Sequence, residues 1–435
     1  MGRPIEEFKR RLDQATASSG PDNLAGTVVI AATASGEILQ KVESGTFLPH
    51  LKNPKRTIDK SRQNFSADTV CWIASCTKLM TTIAVMQQVD RGVLKLDDDV
   101  TQTWLPEFKD YDVLVRGQND GGENPKPTTK KMKNRMTLRN LLSHTSGIAY
   151  EFTQMAIQNW RQWSVSTPEG KANARSPDIA RAMKVPLYFE PSEGWVYGYG
   201  IDWAGLALMR ATGKNLEELF SENIWKPLGM TSTTFSVKDH RPDLLDRLTA
   251  MNIRNGEGGL DNADNDPVSR SIERVKYGGG GGCYSTANDY IKLVVSLLNT
   301  ATGHSSDVPQ LLKTATVNEM LTGQLSEKGL VNIHRITANP IAYGLAGNLP
   351  PSVKKDYGLG GILNLTEVPA TGRKAGAIQW SGLPNLFWWV SPADGVAGCY
   401  FTQVLPPGDK PNVKMYEEFE KAVLEEQKLS RKGKL

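Results

Sequence analysis

Apolar residues recur at helical spacing in the segment that follows residue 75. They are Leu79, Ile83, Met86 and Val89. Because they lie three or four positions apart and stop before Gly92, the pattern predicts a helix that ends near that glycine. The preceding residues 70–73 are bulky and apolar, which is typical of a short extended segment. We therefore predict a strand that leads into a helix, with Ser75 at the helix N-terminus.

Strand-like patterns occur near both ends of the chain. The runs span residues 27–32, 38–42, 377–380, 387–390 and 396–404. Turn residues separate neighbouring runs at 35–36 and at 391–395, so each pair is predicted to form a hairpin. We predict an α+β fold in which an antiparallel sheet is built from residues 20–70 and 375–405 and is flanked by helices at both termini.

The middle of the chain has a mostly helical pattern and suggests a second lobe. At 435 residues the chain is long for one simple core. We predict a sheet lobe from residues 1–95 and 276–435, and an inserted, mostly helical lobe from 96–275. An exposed excursion is expected near 112–135, where glycine, asparagine, proline and lysine accumulate. Whether this segment or the polar stretch at 253–272 closes over a site is left open.

Two local patterns after residue 277 predict backbone geometry. Five glycines at 278–282 are not followed by the Lys-Ser/Thr of a phosphate-binding loop, so a close backbone approach is the better interpretation. Thr286 and Asp289 then form a predicted capping box for a helix.

Composition and charge exclude several classes of partner. The net charge of +4 comes without a dense basic stripe, so no nucleic acid partner is expected. No window approaches eighteen apolar residues, so no membrane span is expected. The charged N-terminus lacks an apolar leader, which favours a cytoplasmic location. The last three residues, 433–435, only distantly match a peroxisomal signal.

The four cysteines show no metal-ligand or redox spacing and are expected to be buried free thiols. They are Cys71, Cys76, Cys283 and Cys399.

Ser75 and Lys78 form an S-x-x-K pattern on one helix face. The helix N-terminus would stabilise an oxyanion on the serine, and partial burial would favour a neutral lysine that acts as a base. The same pattern also fits an N-capping serine followed by an exposed lysine, so alone it is weak.

Other arrangements of a serine nucleophile find little support. No serine has glycine at both the −2 and the +2 position, and no H-E-x-x-H motif occurs. The base would therefore be lysine or tyrosine, and Tyr197, in a glycine-flanked loop, is the most conspicuous candidate. A tyrosine beside a lysine cation could share one proton with it, although an isolated tyrosine is more often a packing residue.

Four motifs in order resemble the serine β-lactamase-like family, which contains class C β-lactamases and family VIII carboxylesterases. These motifs are Ser75-Cys76-Thr77-Lys78, residues 141–147, Tyr197 and Trp380-Ser381-Gly382. The resemblance covers nearly the whole chain and is strongest to the fungal branch of lovastatin-type acyltransferases and statin esterases. It implies a β-lactamase/transpeptidase-like fold.

The resemblance also implies roles for individual residues. Ser75 would be the acylated nucleophile, with Lys78 and Tyr197 as its proton-transfer partners. The backbone N–H groups of Ser75 and Leu383 would form the oxyanion hole. No cofactor and no metal are implied.

Two departures from the β-lactamase pattern point towards esters. Tyr199 stands where class C enzymes have an asparagine, and Trp380-Ser381-Gly382 replaces a K-T-G motif and its carboxylate-binding lysine. Together with Trp195, these residues are the expected substrate-binding positions.

The expected function is a serine carboxylesterase that hydrolyses an acyl ester of a hydrophobic natural product, with a statin-like polyketide as the expected alcohol. The alternative is an acyltransferase that moves a short acyl group from a thioester to a polyketide alcohol. A β-lactamase and a non-catalytic binding protein on the same fold are less favoured. The expected partner is a small-molecule ester, with an acyl-thioester donor for the alternative, and the oligomeric state is left open.

Overall fold

The computed structural model describes residues 3–18, 20–50, 62–121, 125–263, 275–338, 344, 346–347, 349–431 and 433. Its strands are β1 (Thr27–Thr33), β2 (Ile38–Ser44), β3 (Thr46–Phe47), β4 (Gln63–Asn64), β5 (Cys71–Trp72), β6 (Asp112–Asn119), β7 (Pro127–Lys131), β8 (Asn252–Arg254), β9 (Leu260–Asn262), β10 (Tyr284–Ser285), β11 (Lys355–Tyr357), β12 (Ile362–Asn364), β13 (Ile378–Gly382), β14 (Leu386–Ser391), β15 (Val396–Phe401) and β16 (Val404–Leu405). Its α-helices are α1 (Pro4–Ala17), α2 (Thr77–Asp90), α3 (Leu138–Leu142), α4 (Met155–Ser166), α5 (Pro168–Ala174), α6 (Ile179–Ala182), α7 (Gly200–Thr212), α8 (Leu216–Phe220), α9 (Lys226–Leu228), α10 (Ala287–Thr302), α11 (Thr314–Met320), α12 (Glu327–Thr337) and α13 (Lys410–Arg431).

The central sheet is built from both ends of the chain. Its seven strands lie in the order β11-β12-β13-β14-β15-β1-β2, and each neighbouring pair is antiparallel. The N-terminal and C-terminal parts meet where β1 lies beside β15, with Val28 opposite Phe401. The predicted α+β fold with an antiparallel sheet flanked by helices is confirmed.

The limits of the sheet differ from the prediction. The edge strand β11 and its neighbour β12 were not predicted, because three residues each are too few to show a period of two. Residues 45–70 were expected in the sheet, yet β3 and β4 pair with each other outside it. Within this range, residues 51–61 lie outside the described residues.

Helices pack against both faces of the sheet. Alternation along β14 sends Trp389 towards α1 and α13, where its ring meets Phe419, and sends Trp388 to the opposite face. On that opposite face, α10 packs through Tyr290, whose ring lies 5.6 Å from that of Phe401. Trp388 and Trp389 are therefore core residues on opposite faces of the sheet.

Helix caps agree with the prediction in part. The Thr286 hydroxyl accepts the Asp289 N–H and so caps α10. The reciprocal half of the predicted capping box is absent from the described contacts of Asp289, whose carboxylate instead accepts the Ser232 N–H at 2.6 Å and the Thr233 hydroxyl at 2.9 Å. This aspartate therefore ties α10 to the 232–234 segment.

The two polar segments are hairpins where they are described. Strands β6 and β7 pair antiparallel, and Val113 and Leu114 are buried, so the expected exposed excursion at 112–135 is only partly exposed. Strands β8 and β9 form a second hairpin, and Arg254 of β8 binds Asp409 at 2.8 Å. The rest of the 253–272 stretch, from residue 264, lies outside the described residues. The division into two lobes stays a prediction.

None of the helices in the described ranges has the length and apolar character that would let it cross a membrane.

Candidate active site

Ser75 lies in a single 3-10 turn, Ala74–Cys76, that continues into α2. Upstream, β5 pairs with β10, which fixes the direction from which the chain enters this turn. Ala74 has a φ of +44°, a left-handed conformation that a residue with a Cβ rarely adopts. Such strain is found most often at functional sites, and here it immediately precedes the serine.

The ammonium group of Lys78 is surrounded by three hydrogen-bond acceptors. Lys78 is completely buried, and its Nζ donates to Ser75 Oγ at 3.2 Å, to Tyr150 Oη at 3.0 Å and to the Gly280 carbonyl at 2.6 Å. Three acceptors match the three N–H donors of a protonated lysine. The exposed lysine that would accompany a simple N-cap is therefore not found.

Tyr197 is the second side chain that contacts the serine hydroxyl. Its hydroxyl donates to Ser75 Oγ at 2.7 Å and accepts the indole N–H of Trp380 at 3.1 Å. Lys78 Nζ lies 4.8 Å from the centre of the Tyr197 ring, close enough for a cation–π interaction. Ser75, Lys78 and Tyr197, separated by up to 122 positions, thus meet at one point.

Tyr150 was missed by the sequence analysis. Besides its bond to Lys78, its ring packs 5.1 Å from that of Tyr197, and its backbone N–H donates to the Tyr197 carbonyl. Burial raises the pKa of the Tyr150 hydroxyl well above its usual value, so this group stays protonated. Its position three residues after Gly147, at the end of a motif already noted, is the signal that could have found it.

The glycine run makes a close backbone approach, as predicted, and α2 is one of the elements that it contacts. Its carbonyls accept from three different side chains: Gly279 from Thr81 at 2.6 Å, Gly280 from Lys78, and Gly281 from Trp72 at 2.7 Å. A Cβ on Gly280 would collide with the carboxylate of Asp202, so only glycine permits this approach.

Gly382 brings the end of β13 onto the serine turn. A Cβ added there would lie 2.5 Å from the Ile73 carbonyl oxygen and 3.3 Å from Cys76 Sγ. Leu383 follows directly, so its backbone reaches the neighbourhood of Ser75, where the second oxyanion donor is expected.

The other expected substrate-binding residues lie in different surroundings. Trp195 is buried against His144 and Tyr357, and Ser381 is also buried. Tyr199 is half-buried and donates to Glu151 at 2.8 Å. Trp195 and Ser381 are therefore enclosed by protein, whereas Tyr199 retains an exposed part.

Burial keeps a cysteine and a histidine near the serine from acting as a nucleophile or a base. Burial raises the pKa of the Cys76 thiol well above its usual value, which leaves it protonated and unreactive. Burial, together with the charge of Lys78, lowers the pKa of His144 well below its usual value, so the imidazole is neutral. All four cysteines are buried and free, as predicted.

Comparison with known proteins identifies the family. The model of the Beta-lactamase family matches residues 40–421. The monacolin J acid methylbutanoyltransferase of Aspergillus terreus is 31% identical over 410 residues, covering 92% of this chain and 91% of the relative. The lovastatin esterase of Penicillium rubens is 31% identical over 403 residues, covering 91% of this chain and 92% of the relative.

A solved structure agrees with these relatives. A LovD6 mutant of simvastatin synthase from Aspergillus terreus superimposes with a TM-score of 0.83 at 29% identity, over 98% of this chain and 96% of that structure. The resemblance drawn from the motifs is confirmed, including its fungal statin branch. By its match over most of its length, the chain belongs to the Beta-lactamase family, as a relative of fungal statin acyltransferases and esterases.

Proposed function

We propose that this protein is a serine carboxylesterase that forms an acyl ester on Ser75. The observation that carries the proposal is the double contact of Ser75 Oγ, which lies 2.7 Å from Tyr197 Oη and 3.2 Å from Lys78 Nζ. A serine hydroxyl is a weak nucleophile until a neighbouring group takes its proton, and this pair is placed to do so.

In the acylation step, Ser75 Oγ attacks the ester carbonyl carbon while its proton passes to the Tyr197–Lys78 pair. Once Tyr197 has lost its own hydroxyl proton, its phenolate is the immediate acceptor, because this oxygen lies 2.7 Å from Oγ and is stabilised by the Trp380 N–H and the lysine charge. The negative charge on the carbonyl oxygen is held by the N–H groups of Ser75 and Leu383. The C–O bond to the alcohol then breaks, and the same proton passes to the leaving oxygen.

Deacylation reverses these roles with a second nucleophile. Water gives a proton to the Tyr197–Lys78 pair and attacks the acyl carbon, and the pair then returns a proton to Ser75 Oγ. Water yields a free acid, whereas a bound alcohol yields a new ester. The choice depends on how well the site excludes water and binds the alcohol.

An ester of a hydrophobic polyketide is the proposed substrate. Two features support it: the third motif lacks the lysine that would hold a β-lactam carboxylate, and curated relatives are named for lovastatin and monacolin J acid. Tyr199 is the proposed half-buried substrate contact, Trp380 binds the Tyr197 hydroxyl, and Gly382 packs against the serine turn.

Acyl transfer is the second candidate, and one observation favours it. The methylbutanoyltransferase relative matches this chain as closely, at 31% identity over 92% of the chain, as the esterase relative does. In that case a thioester supplies the acyl group, and a polyketide alcohol resolves the acyl-enzyme.

Product analysis by mass spectrometry separates the two functions. The purified protein is incubated with lovastatin, and separately with an acyl thioester plus monacolin J acid, beside a Ser75→Ala control. The expected products from lovastatin are the free acid and the free alcohol. In a separate labelling experiment with an activated ester, the wild-type protein is expected to gain one acyl group. If new ester forms from the thioester faster than lovastatin is hydrolysed, the protein is an acyltransferase and not an esterase. An acyl group on any residue other than Ser75, or none, would overturn both proposals.

A further inference from the structure

Asp202 is a buried carboxylate that the proposed mechanism does not use. It lies in the first turn of α7 with 2% of its surface exposed, and its Oδ1 accepts the Gly280 N–H at 2.7 Å. Burying a carboxylate costs free energy unless a hydrogen bond or an opposite charge compensates it. The compensating charge should therefore be close.

Gly280 joins this carboxylate to Lys78. The same glycine that donates its N–H to Asp202 presents its carbonyl to Lys78 Nζ at 2.6 Å. The side chain of Asp202 packs directly on the Gly280 backbone, with no room for a Cβ between them. The carboxylate and the ammonium are thus held on two sides of one residue.

Tyr197, the second member of the proton-transfer pair, faces Lys78 with its ring centre 4.8 Å from Nζ, and the remaining groups that face Lys78 bring no negative charge. Ser75 and Tyr150 present hydroxyls, and burial keeps the Tyr150 pKa high. His144 is neutral because burial lowers its pKa. Glu151, beyond Tyr150, is paired with Arg161 at 2.7 Å.

The titration of Asp202 is consistent with this coupling. Burial raises the pKa of the Asp202 carboxyl above its usual value, and the charge of Lys78 and the Gly280 N–H limit this rise. The carboxylate and the ammonium therefore stabilise each other.

We propose that Asp202 is a positioning residue that, through Gly280, holds Lys78 as an ammonium and sets the pH range in which Ser75 is acylated. The inference rests on the proposed function. The active enzyme carries one proton on the Tyr197–Lys78 pair, so activity falls when the pair gains a second proton or loses the first. The negative charge of Asp202 favours the more protonated form at both steps. Its removal moves both limbs of the pH–rate profile to lower pH.

The test is Asp202→Asn, which keeps a hydrogen-bond acceptor for Gly280 and removes the charge. The rate of acylation by a p-nitrophenyl ester is measured in single turnovers from pH 5 to 10. We expect both limbs to shift down by about one pH unit, the usual size for a nearby opposite charge. The matched control is Asp289→Asn, another buried carboxylate that accepts backbone and hydroxyl hydrogen bonds. Its profile should coincide with that of the wild type.

A fall in rate with an unshifted profile for Asp202→Asn would overturn the inference, because it indicates a structural role alone. Wild-type protein without ester activity would instead overturn the proposed function.

A second variant keeps the test decisive if Asp202→Asn does not fold or the wild type is inactive. Lys78→Met leaves Asp202 without its counter-charge, so its melting temperature should fall further below that of the wild type as the pH rises from 5 to 8. A difference that stays constant over this range would refute the coupling.

Discussion

The hydroxyl groups of Tyr197 and Ser75 lie 2.7 Å apart, although 122 positions separate them in the chain. Under the proposed mechanism Tyr197 accepts the serine proton, so Tyr197→Phe should lower the acylation rate by about 10²–10⁴. Tyr357→Phe is the matched control, since it removes the hydroxyl of another buried tyrosine nearby. Single-turnover release of p-nitrophenol measures both variants. Equal losses for the two would show that the tyrosine hydroxyl at 197 has no special role.

Trp380 orients the proposed base through one hydrogen bond. Its indole N–H donates to the Tyr197 hydroxyl at 3.1 Å. Trp380→Phe removes the donor, and we expect the acylation rate to fall about tenfold, which corresponds to one hydrogen bond. Trp388 lies directly opposite on β14 and is equally buried, so Trp388→Phe removes similar packing without touching the base. A larger loss of rate in Trp388→Phe than in Trp380→Phe would contradict the assignment.

Gly382 permits the contact between β13 and the serine turn. Gly382→Ala places a Cβ 2.5 Å from the Ile73 carbonyl oxygen, so the strand or the turn must move. We expect a loss of unfolding free energy of about 1–3 kcal/mol, together with slower acylation, because the displaced backbone carries Leu383. Gly256→Ala adds the same methyl group in open space and should change neither property. Chemical denaturation and the single-turnover assay measure the two effects, and normal acylation in Gly382→Ala would argue against the oxyanion role of Leu383.

Local patterns were sufficient for the elements whose residues are close in sequence. β1 and β14 follow from short runs of apolar and β-branched residues, and the hairpin turn at 391–395 follows from its proline, aspartate and glycine. The shared face of Ser75 and Lys78 follows from the helical period of 3.6. Tyr197 required the order of several motifs, because a single tyrosine in a loop carries no such period.

Long-range contacts could not be predicted from the same patterns. Tyr150 is 72 positions from Lys78, and Gly280 is 202 positions from it. Neither contact produces a periodic pattern in the amino-acid sequence. The β6–β7 hairpin was hidden for another reason: its glycine and proline residues indicate a loop, whereas pairing between the two strands satisfies the backbone groups.

Lys355 is expected to make the free energy of unfolding depend on pH in the alkaline range. This lysine of edge strand β11 is buried, and its Nζ donates to the Pro350 carbonyl at 2.7 Å and to the Val353 carbonyl at 3.1 Å. Burial lowers the pKa of its amine from 10.5 to about 8.

Between these two pH values the unfolded chain binds the proton and the folded chain does not, so the free energy of unfolding rises with pH. Below pH 8 both states are charged, and the cost of burying the ammonium is present in full. We expect the wild type to gain on the order of 2 kcal/mol relative to Lys355→Met from pH 8 to 10.5, once solvent screening is allowed for. Lys354→Met, at the exposed neighbouring position, should keep the slope of the wild type. Urea denaturation at several pH values measures the slope of unfolding free energy against pH for each variant. Parallel slopes for the wild type and Lys355→Met would contradict the prediction. They would show that the amine stays protonated in the folded protein.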